Sequence, residues 1–127
     1  MRFINSRSDF PFSVAVEYSG RILEAVLTGI PGGAKRPVAG GVQAELREIF
    51  RQLDNILAQV GVEKTAIASA RLYLQDVTGD IAAVNQVWVE YFGSHPPNRR
   101  AYGVNLQAGI LVEAAFVAEL PTEHNRL

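Results

Sequence analysis

The chain has 127 residues, 48% of them hydrophobic, which suits one domain with a buried core and disfavours a disordered protein. Its 12 basic and 13 acidic residues give a formal net charge of −1, which disfavours binding to nucleic acid through the phosphate backbone. Cysteine is absent, and two histidines are too few for most histidine metal sites. No membrane span or apolar signal core appears. We therefore expect a cytoplasmic protein without a metal, a cofactor or a membrane partner.

The amino-terminal third of the chain predicts a β-hairpin. We expect residues 1–11 to be irregular and residues 13–18 and 22–28 to form two strands, joined by a turn at Ser19-Gly20. Residues 29–41 are too rich in glycine and proline for regular structure, so we expect a loop there.

Apolar residues recur at three- and four-residue spacing over residues 42–60, which predicts an amphipathic helix. Gly61 is placed to cap its carboxyl end. The other face of this helix is polar and is expected to meet solvent: Glu45, Arg47, Glu48, Arg51, Asp54 and Asn55.

The rest of the chain predicts three strands and a second helix. The strands are expected over 67–74, 99–104 and 110–118, the helix over 81–92 with Asp80 as a possible N-cap, and a tail over 119–127. The order β-β-α-β-α-β-β predicts a single α+β domain, a two-layer sandwich with two helices on one face of a mixed sheet. The strands are too apolar for the other face to meet water, which indicates an oligomer.

Two arginines follow the rigid Pro96-Pro97 pair. In an extended chain, Arg99 and Ala101 share one face, whereas Arg100 and Tyr102 share the other. A guanidinium suits a carboxylate or a phosphate, because its N–H groups form a rigid fork. The alternative is a pair of solvated arginines at the start of a strand.

Glu113 is the only charged residue in the apolar segment 109–118. A carboxylate there must find a partner or shift its pKa upward, and such acids concentrate at functional sites. A structural ion pair, or an edge glutamate facing water, would explain it equally well. If Arg99 and Glu113 lie on adjacent strands, they could line one pocket, with a cation for binding and a carboxylate for a water.

Several short motifs, taken in order, resemble the Rid/YjgF family of reactive-intermediate imine deaminases. The resemblance extends from about Pro11 to Ala118. It rests on Asn55-Ile56-Leu57 with Gly61, Leu74-Gln75-Asp76, Ala82-Ala83-Val84-Asn85, Phe92-Gly93, His95-Pro96-Pro97, the Pro97-Asn98-Arg99 signature and Val112-Glu113. The resemblance implies a chorismate-mutase-like fold and a homotrimer, with the sheets facing inward and three clefts between subunits.

The resemblance also implies roles for individual residues. Arg99 would bind the substrate carboxylate, and Glu113 with the backbone carbonyl of Gly29 would position the attacking water. The backbone at Ala101 would help to hold the carboxylate. The remaining substrate-binding positions are Phe12, Thr28 and Asn85.

The implied reaction is the hydrolysis of a small 2-imino acid, such as the imine tautomer of 2-aminoacrylate, to a 2-keto acid and ammonium without a cofactor. Four positions depart from the family pattern: Phe12 replaces a tyrosine, Val14 a glutamine and Arg100 a small residue, and Ile30 follows Gly29 directly. These departures leave two other functions open. One is a non-catalytic trimer that binds small carboxylates as a sensor or chaperone-like protein. The other, which the neutral charge disfavours, is an endoribonuclease or translation inhibitor.

Overall fold

The computed structural model describes residues 1–5 and 11–121, in which six strands and two α-helices occur in the order β-β-β-α-β-α-β-β. The strands are β1 (Arg2–Ile4), β2 (Ala15–Tyr18), β3 (Ile22–Thr28), β4 (Ile67–Leu74), β5 (Asn98–Gly103) and β6 (Val112–Glu119); the helices are α1 (Val42–Val60) and α2 (Val77–Phe92). A 3₁₀ turn, Lys64–Ala66, leads into β4. The predicted α+β class is confirmed. Most of the predicted tail, from residue 122 onward, lies outside the described residues.

The six strands form one mixed sheet in the order β1-β2-β3-β6-β4-β5. Only β4 and β5 run parallel, as expected of two strands joined by a helical crossover. Both helices pack on one face of this sheet. The core lies between these layers, because every second residue of the inner strands β3 and β6, and of β4 from Ala70 onward, is buried there, with Leu27, Leu72 and Ala114 each at most 2% exposed.

The helices cover only this one face of the sheet, which we call the helix face. The opposite face, which we call the open face, carries Val26, whose side chain is 52% exposed. Around it lie partly buried small and branched apolar residues, namely Val14, Val16, Ala115 and Val117. The prediction that the helices leave this face uncovered is confirmed, but the face is only partly apolar, because it also carries Glu24, Arg71, Arg100 and Glu113.

Two predictions at element boundaries are wrong. Residues 2–4 are not irregular, because β1 pairs with β2 and places Ile4 opposite Ala15, with both residues buried. The second helix begins at Val77 rather than at residue 81, and its N-cap is Asp76, whose Oδ1 accepts a hydrogen bond from the N–H of Gly79 at 3.1 Å. This cap compensates for the weak helix propensity of Thr78 and Gly79.

The first helix has the predicted bounds, and Gly61 ends it in the left-handed conformation with φ 76°. One residue of its predicted solvent face lies elsewhere, however. Glu45 is only 2% exposed, because its Oε1 accepts a hydrogen bond from the N–H of Leu111 at 2.9 Å. The segment leading into β6 therefore covers the first turn of α1.

Candidate active site

Arg99 lies near the start of the edge strand β5, opposite Ala70 of β4, and faces the helix layer. Its Nη2 donates a hydrogen bond to Asn85 Oδ1 at 2.7 Å, and its guanidinium carbon lies 5.0 Å from the centre of the Trp88 ring. Partial burial lowers the pKa of Arg99 below its usual value. The alternation prediction is confirmed, and Arg99 is not a freely solvated arginine, whereas Arg100 is exposed.

Trp88 contacts the predicted site residue Arg99, and the sequence did not reveal this contact. Its apolar spacing predicts a core residue, and it is indeed only 5% exposed. Its ring also lies beside the Arg99 guanidinium, where a cation–π contact contributes about 0.5–2 kcal/mol. Asn85 and Trp88 are three residues apart on α2 and therefore lie on the same side of the helix. This three-residue spacing is the feature of the sequence that could have predicted that Trp88 lies near Asn85.

Glu113 lies near the start of β6, between Thr28 of β3 and Tyr73 of β4, with its side chain on the open face. The carboxylate is partly buried, and this burial raises the pKa of Glu113 above its usual value. The edge-strand reading is wrong because β6 is internal to the sheet. No ion pair involves Glu113 within residues 1–5 and 11–121, so a structural ion pair there does not explain it.

Arg99 and Glu113 do not line one pocket within a chain. Strand β4 lies between their strands, so the prediction of adjacent strands is wrong. Their side chains also point to opposite faces, since Arg99 pairs with Ala70 and Glu113 with Tyr73, an odd number of residues further along β4. A single chain therefore presents the guanidinium on the helix face and the carboxylate on the open face.

The open face carries an aromatic pair next to Glu113. Tyr73 lies directly across from Glu113, and its ring stacks on that of Tyr102 with centres 5.9 Å apart. On the other side of Glu113 lies Thr28. Phe12 is 61% exposed and precedes Val14, whose carbonyl accepts from the N–H of Val26. Phe12 therefore lies towards the end of β3 that carries Thr28.

The backbone around Gly29 is held from two directions. The Gly29 carbonyl accepts a hydrogen bond from the N–H of Val38 at 2.9 Å, which uses one of its two lone pairs. The Nε2 of Gln52 in α1 donates to the flanking carbonyls of Thr28 and Ile30 at 3.1 and 3.0 Å. Gln52 therefore anchors the end of β3 to the helix layer, which the sequence pattern did not predict.

Gly29 has no room for a side chain. A Cβ there would lie 2.7 Å from the Cβ and 2.8 Å from the Cα of Glu45, so the backbone would have to move. We expect Gly29→Ala to lower the free energy of unfolding by about 1–3 kcal/mol, measured from urea unfolding curves. The matched control is Gly32→Ala in the same loop, where a Cβ meets nothing within 4 Å. Equal stability of the two variants would contradict the close contact.

The predicted site residues therefore form two groups. On the helix face, Arg99 lies with Asn85, and Ala101 lies two residues further along β5, packed against the core. Near the end of β3, Thr28 and Gly29 lie close to Glu113 on the neighbouring strand, with Phe12 at the same end. Within residues 1–5 and 11–121, these two groups lie on opposite faces of the sheet.

No helix among the described residues is long and apolar enough to cross a membrane. In the same residues, no three histidine, aspartate or glutamate side chains cluster as metal ligands would.

Comparison with known proteins identifies the family. Residues 7–120 match the family model described as endoribonuclease L-PSP. A human 2-iminobutanoate/2-iminopropanoate deaminase is 30% identical over 109 residues, which span 85% of this chain and 79% of the human protein. A RutC family protein of Pyrococcus abyssi is 28% identical over 85% of both chains. The crystal structure of RidA from the Antarctic bacterium Psychrobacter sp. PAMC 21119 superposes with a TM-score of 0.83 at 20% identity, covering 94% of this chain and all (100%) of that one. The chain therefore belongs to the Rid/YjgF family, also described as the L-PSP family.

Proposed function

We propose that this protein is a cofactor-independent deaminase that hydrolyses 2-imino acids to 2-keto acids and ammonium. The observation that carries the proposal is that Asn85 and Trp88 hold the guanidinium of Arg99 in a fixed position. Within the described residues, no carboxylate forms an ion pair with it. A partly buried guanidinium fixed in this way remains able to bind a carboxylate from a ligand through its unused N–H groups. The 2-imino acids named for the human relative carry such a carboxylate.

The reaction divides into binding and hydrolysis. Arg99 and the backbone at Ala101 hold the substrate carboxylate and so orient the protonated imine carbon, which is already electrophilic. Glu113 accepts a proton from water as the water oxygen attacks that carbon, and the Gly29 carbonyl accepts the other water hydrogen. Glu113 returns its proton to the nitrogen of the tetrahedral intermediate. The carbon–nitrogen bond then breaks and releases ammonia, while Glu113 takes the hydroxyl proton of the intermediate and passes it to the ammonia, which yields a 2-keto acid and ammonium.

The proposed site combines residues of different copies of the chain. Arg99 and Glu113 face opposite sides of one sheet, so they can act on one substrate only if the guanidinium comes from one copy and the carboxylate from another. The apolar residues of the open face, with Val26 half exposed, support an assembly in which sheets face each other. We propose that this assembly is a homotrimer with three clefts between subunits.

A coupled assay tests the proposed activity. An amino-acid oxidase generates imines from several amino acids in turn, and semicarbazide competes with the purified protein for each imine. We expect the protein to suppress semicarbazone formation for at least one small 2-imino acid, and we expect light scattering to give the mass of a trimer. Binding of 2-keto acids without any turnover would instead favour a non-catalytic carboxylate-binding trimer. Cleavage of RNA that persists through purification and disappears in Arg99→Ala would favour the ribonuclease.

A further inference from the structure

Glu45 is a buried carboxylate to which neither the sequence prediction nor the proposed mechanism gives a role. It lies in the first turn of α1 and is 2% exposed, and among the described residues no cation forms an ion pair with it. Burial raises the pKa of Glu45, the backbone N–H groups of Leu111 and Val112 counteract this rise, and Asp80 adds to it. A carboxylate in such a position costs stability unless its hydrogen bonds offset the burial.

The two contacts of Glu45 reach both parts of the proposed water site. Its Cα and Cβ pack so closely against Gly29 that a side chain at residue 29 would overlap them. Its Oε1 accepts a hydrogen bond from the N–H of Leu111 at 2.9 Å, two residues before Glu113. Thr28 and Glu113 are cross-strand partners. Glu45 contacts the residue that follows Thr28 and the residue two positions before Glu113.

We propose that Glu45 is a positioning residue that sets the distance between the Gly29 carbonyl and the Glu113 carboxylate. Its backbone limits how close the end of β3 can come to α1, while its side chain holds the start of β6 to the same helical turn. Glu45 thus fixes the positions of the Gly29 carbonyl and the Glu113 carboxylate relative to the same helix, α1. This inference rests on the proposed function, because only that reaction requires the two groups to share a water.

A merely structural role for Glu45 predicts something different. Loss of its hydrogen bond would then lower stability, but each folded molecule would turn over substrate at the normal rate. A positioning role predicts a lower kcat per folded molecule, because a small displacement of a reacting group can cost as much as about 100-fold in rate. KM should change little, since the Arg99 that binds the substrate carboxylate belongs to another copy of the chain and lies on the helix face of that copy's own sheet.

The test compares Glu45→Leu with Glu45→Gln, which keeps an oxygen able to accept from the N–H of Leu111. We expect kcat to fall about 10- to 100-fold in Glu45→Leu with nearly unchanged KM, and to recover largely in Glu45→Gln. Amide hydrogen exchange at Leu111 should become about tenfold faster in Glu45→Leu only. Asp54→Asn, on the same helix but hydrogen-bonded to Tyr91, is the control and should match the wild type in kcat and in this exchange.

Three outcomes would overturn the inference. They are a normal kcat in folded Glu45→Leu, unchanged exchange at Leu111, and a Glu45→Gln variant as slow as Glu45→Leu. If Glu45→Leu does not fold, Glu45→Asp replaces it, since its shorter side chain must also reduce kcat. If the wild type hydrolyses no imine, the proposed function is wrong, and the positioning role of Glu45 in that reaction is wrong as well. The exchange measurement then shows separately whether Glu45 holds Leu111.

Discussion

Replacement of Arg99 by alanine is expected to abolish measurable imine hydrolysis. The variant loses charge-assisted hydrogen bonds to the substrate carboxylate, each worth about 1.5–3 kcal/mol, so kcat/KM should fall about 100-fold or more. Binding of the 2-keto acid product should weaken as well, because it carries the same carboxylate. The coupled semicarbazone assay measures the first effect, and isothermal titration with a 2-keto acid measures the second.

The control for this variant is the next residue along the strand. Arg100 has the same charge but faces the open side, opposite Arg71, whereas Arg99 contacts Asn85 and Trp88. Arg100→Ala should therefore keep most of the activity that Arg99→Ala loses. Equal losses in the two variants would indicate a general effect of positive charge and would remove the specific role of Arg99. Arg99→Lys should fall between the wild type and Arg99→Ala, because an ammonium lacks the planar fork.

Glu113→Gln is expected to lower kcat strongly while leaving substrate affinity nearly unchanged. A glutamine has nearly the same shape, but its amide cannot take the proton from the attacking water, and general-base catalysis of this kind contributes about 10²- to 10⁴-fold. Steady-state kinetics on the best imine separate kcat from KM. A variant with normal kcat and a raised KM would show that Glu113 binds substrate and does not activate water.

The raised pKa of Glu113 gives this prediction a dependence on pH. Burial raises the pKa of its carboxyl group, and only the ionised form can accept a proton. The rate of the wild type should therefore fall as the pH drops through this raised pKa, and Glu113→Gln should lack that dependence. The free energy of unfolding should instead decrease as the pH rises above the unfolded-state pKa of Glu113, because ionising a partly buried carboxylate destabilises the folded state. Glu113→Gln should unfold at a higher temperature than the wild type near neutral pH, and the difference should shrink in acid.

Mixing the two inactive variants tests whether one cleft uses residues of two chains. Arg99→Ala supplies an intact Glu113, and Glu113→Gln supplies an intact Arg99, so roughly a quarter of all clefts in randomly assembled trimers should regain activity. The variants are unfolded and refolded together, and each variant refolded alone serves as the control. No recovery in trimers shown by mass spectrometry to be mixed would contradict the shared cleft.

Elements with a long periodic pattern could be predicted from the sequence. The bounds of α1 agree to the residue, because its apolar stripe repeats over 19 residues and Gly61 ends it in the left-handed conformation. Strands β3 and β4 also agree. The three-residue β1 was missed because so short a segment shows no alternation, and pairing with β2 rather than local preference makes it a strand. The start of α2 was missed because Asp76 outweighs the weak propensity of Thr78 and Gly79.

For the candidate site, the sequence by itself determined which residues stand out and what chemistry they can offer. Glu113 stood out without coordinates because a charge in an apolar strand conflicts with the local pattern. Arg99 stood out by its place after two prolines and by the family signature, while its spacing alone also allowed a solvated arginine. Only the tertiary structure decided where these groups point. Strand order places β4 between them and pairing register puts them on opposite faces, and both depend on contacts between residues far apart in the chain. The burial of Glu45 has the same origin, since its partner Leu111 lies 66 residues away and leaves no trace in the helical periodicity around it.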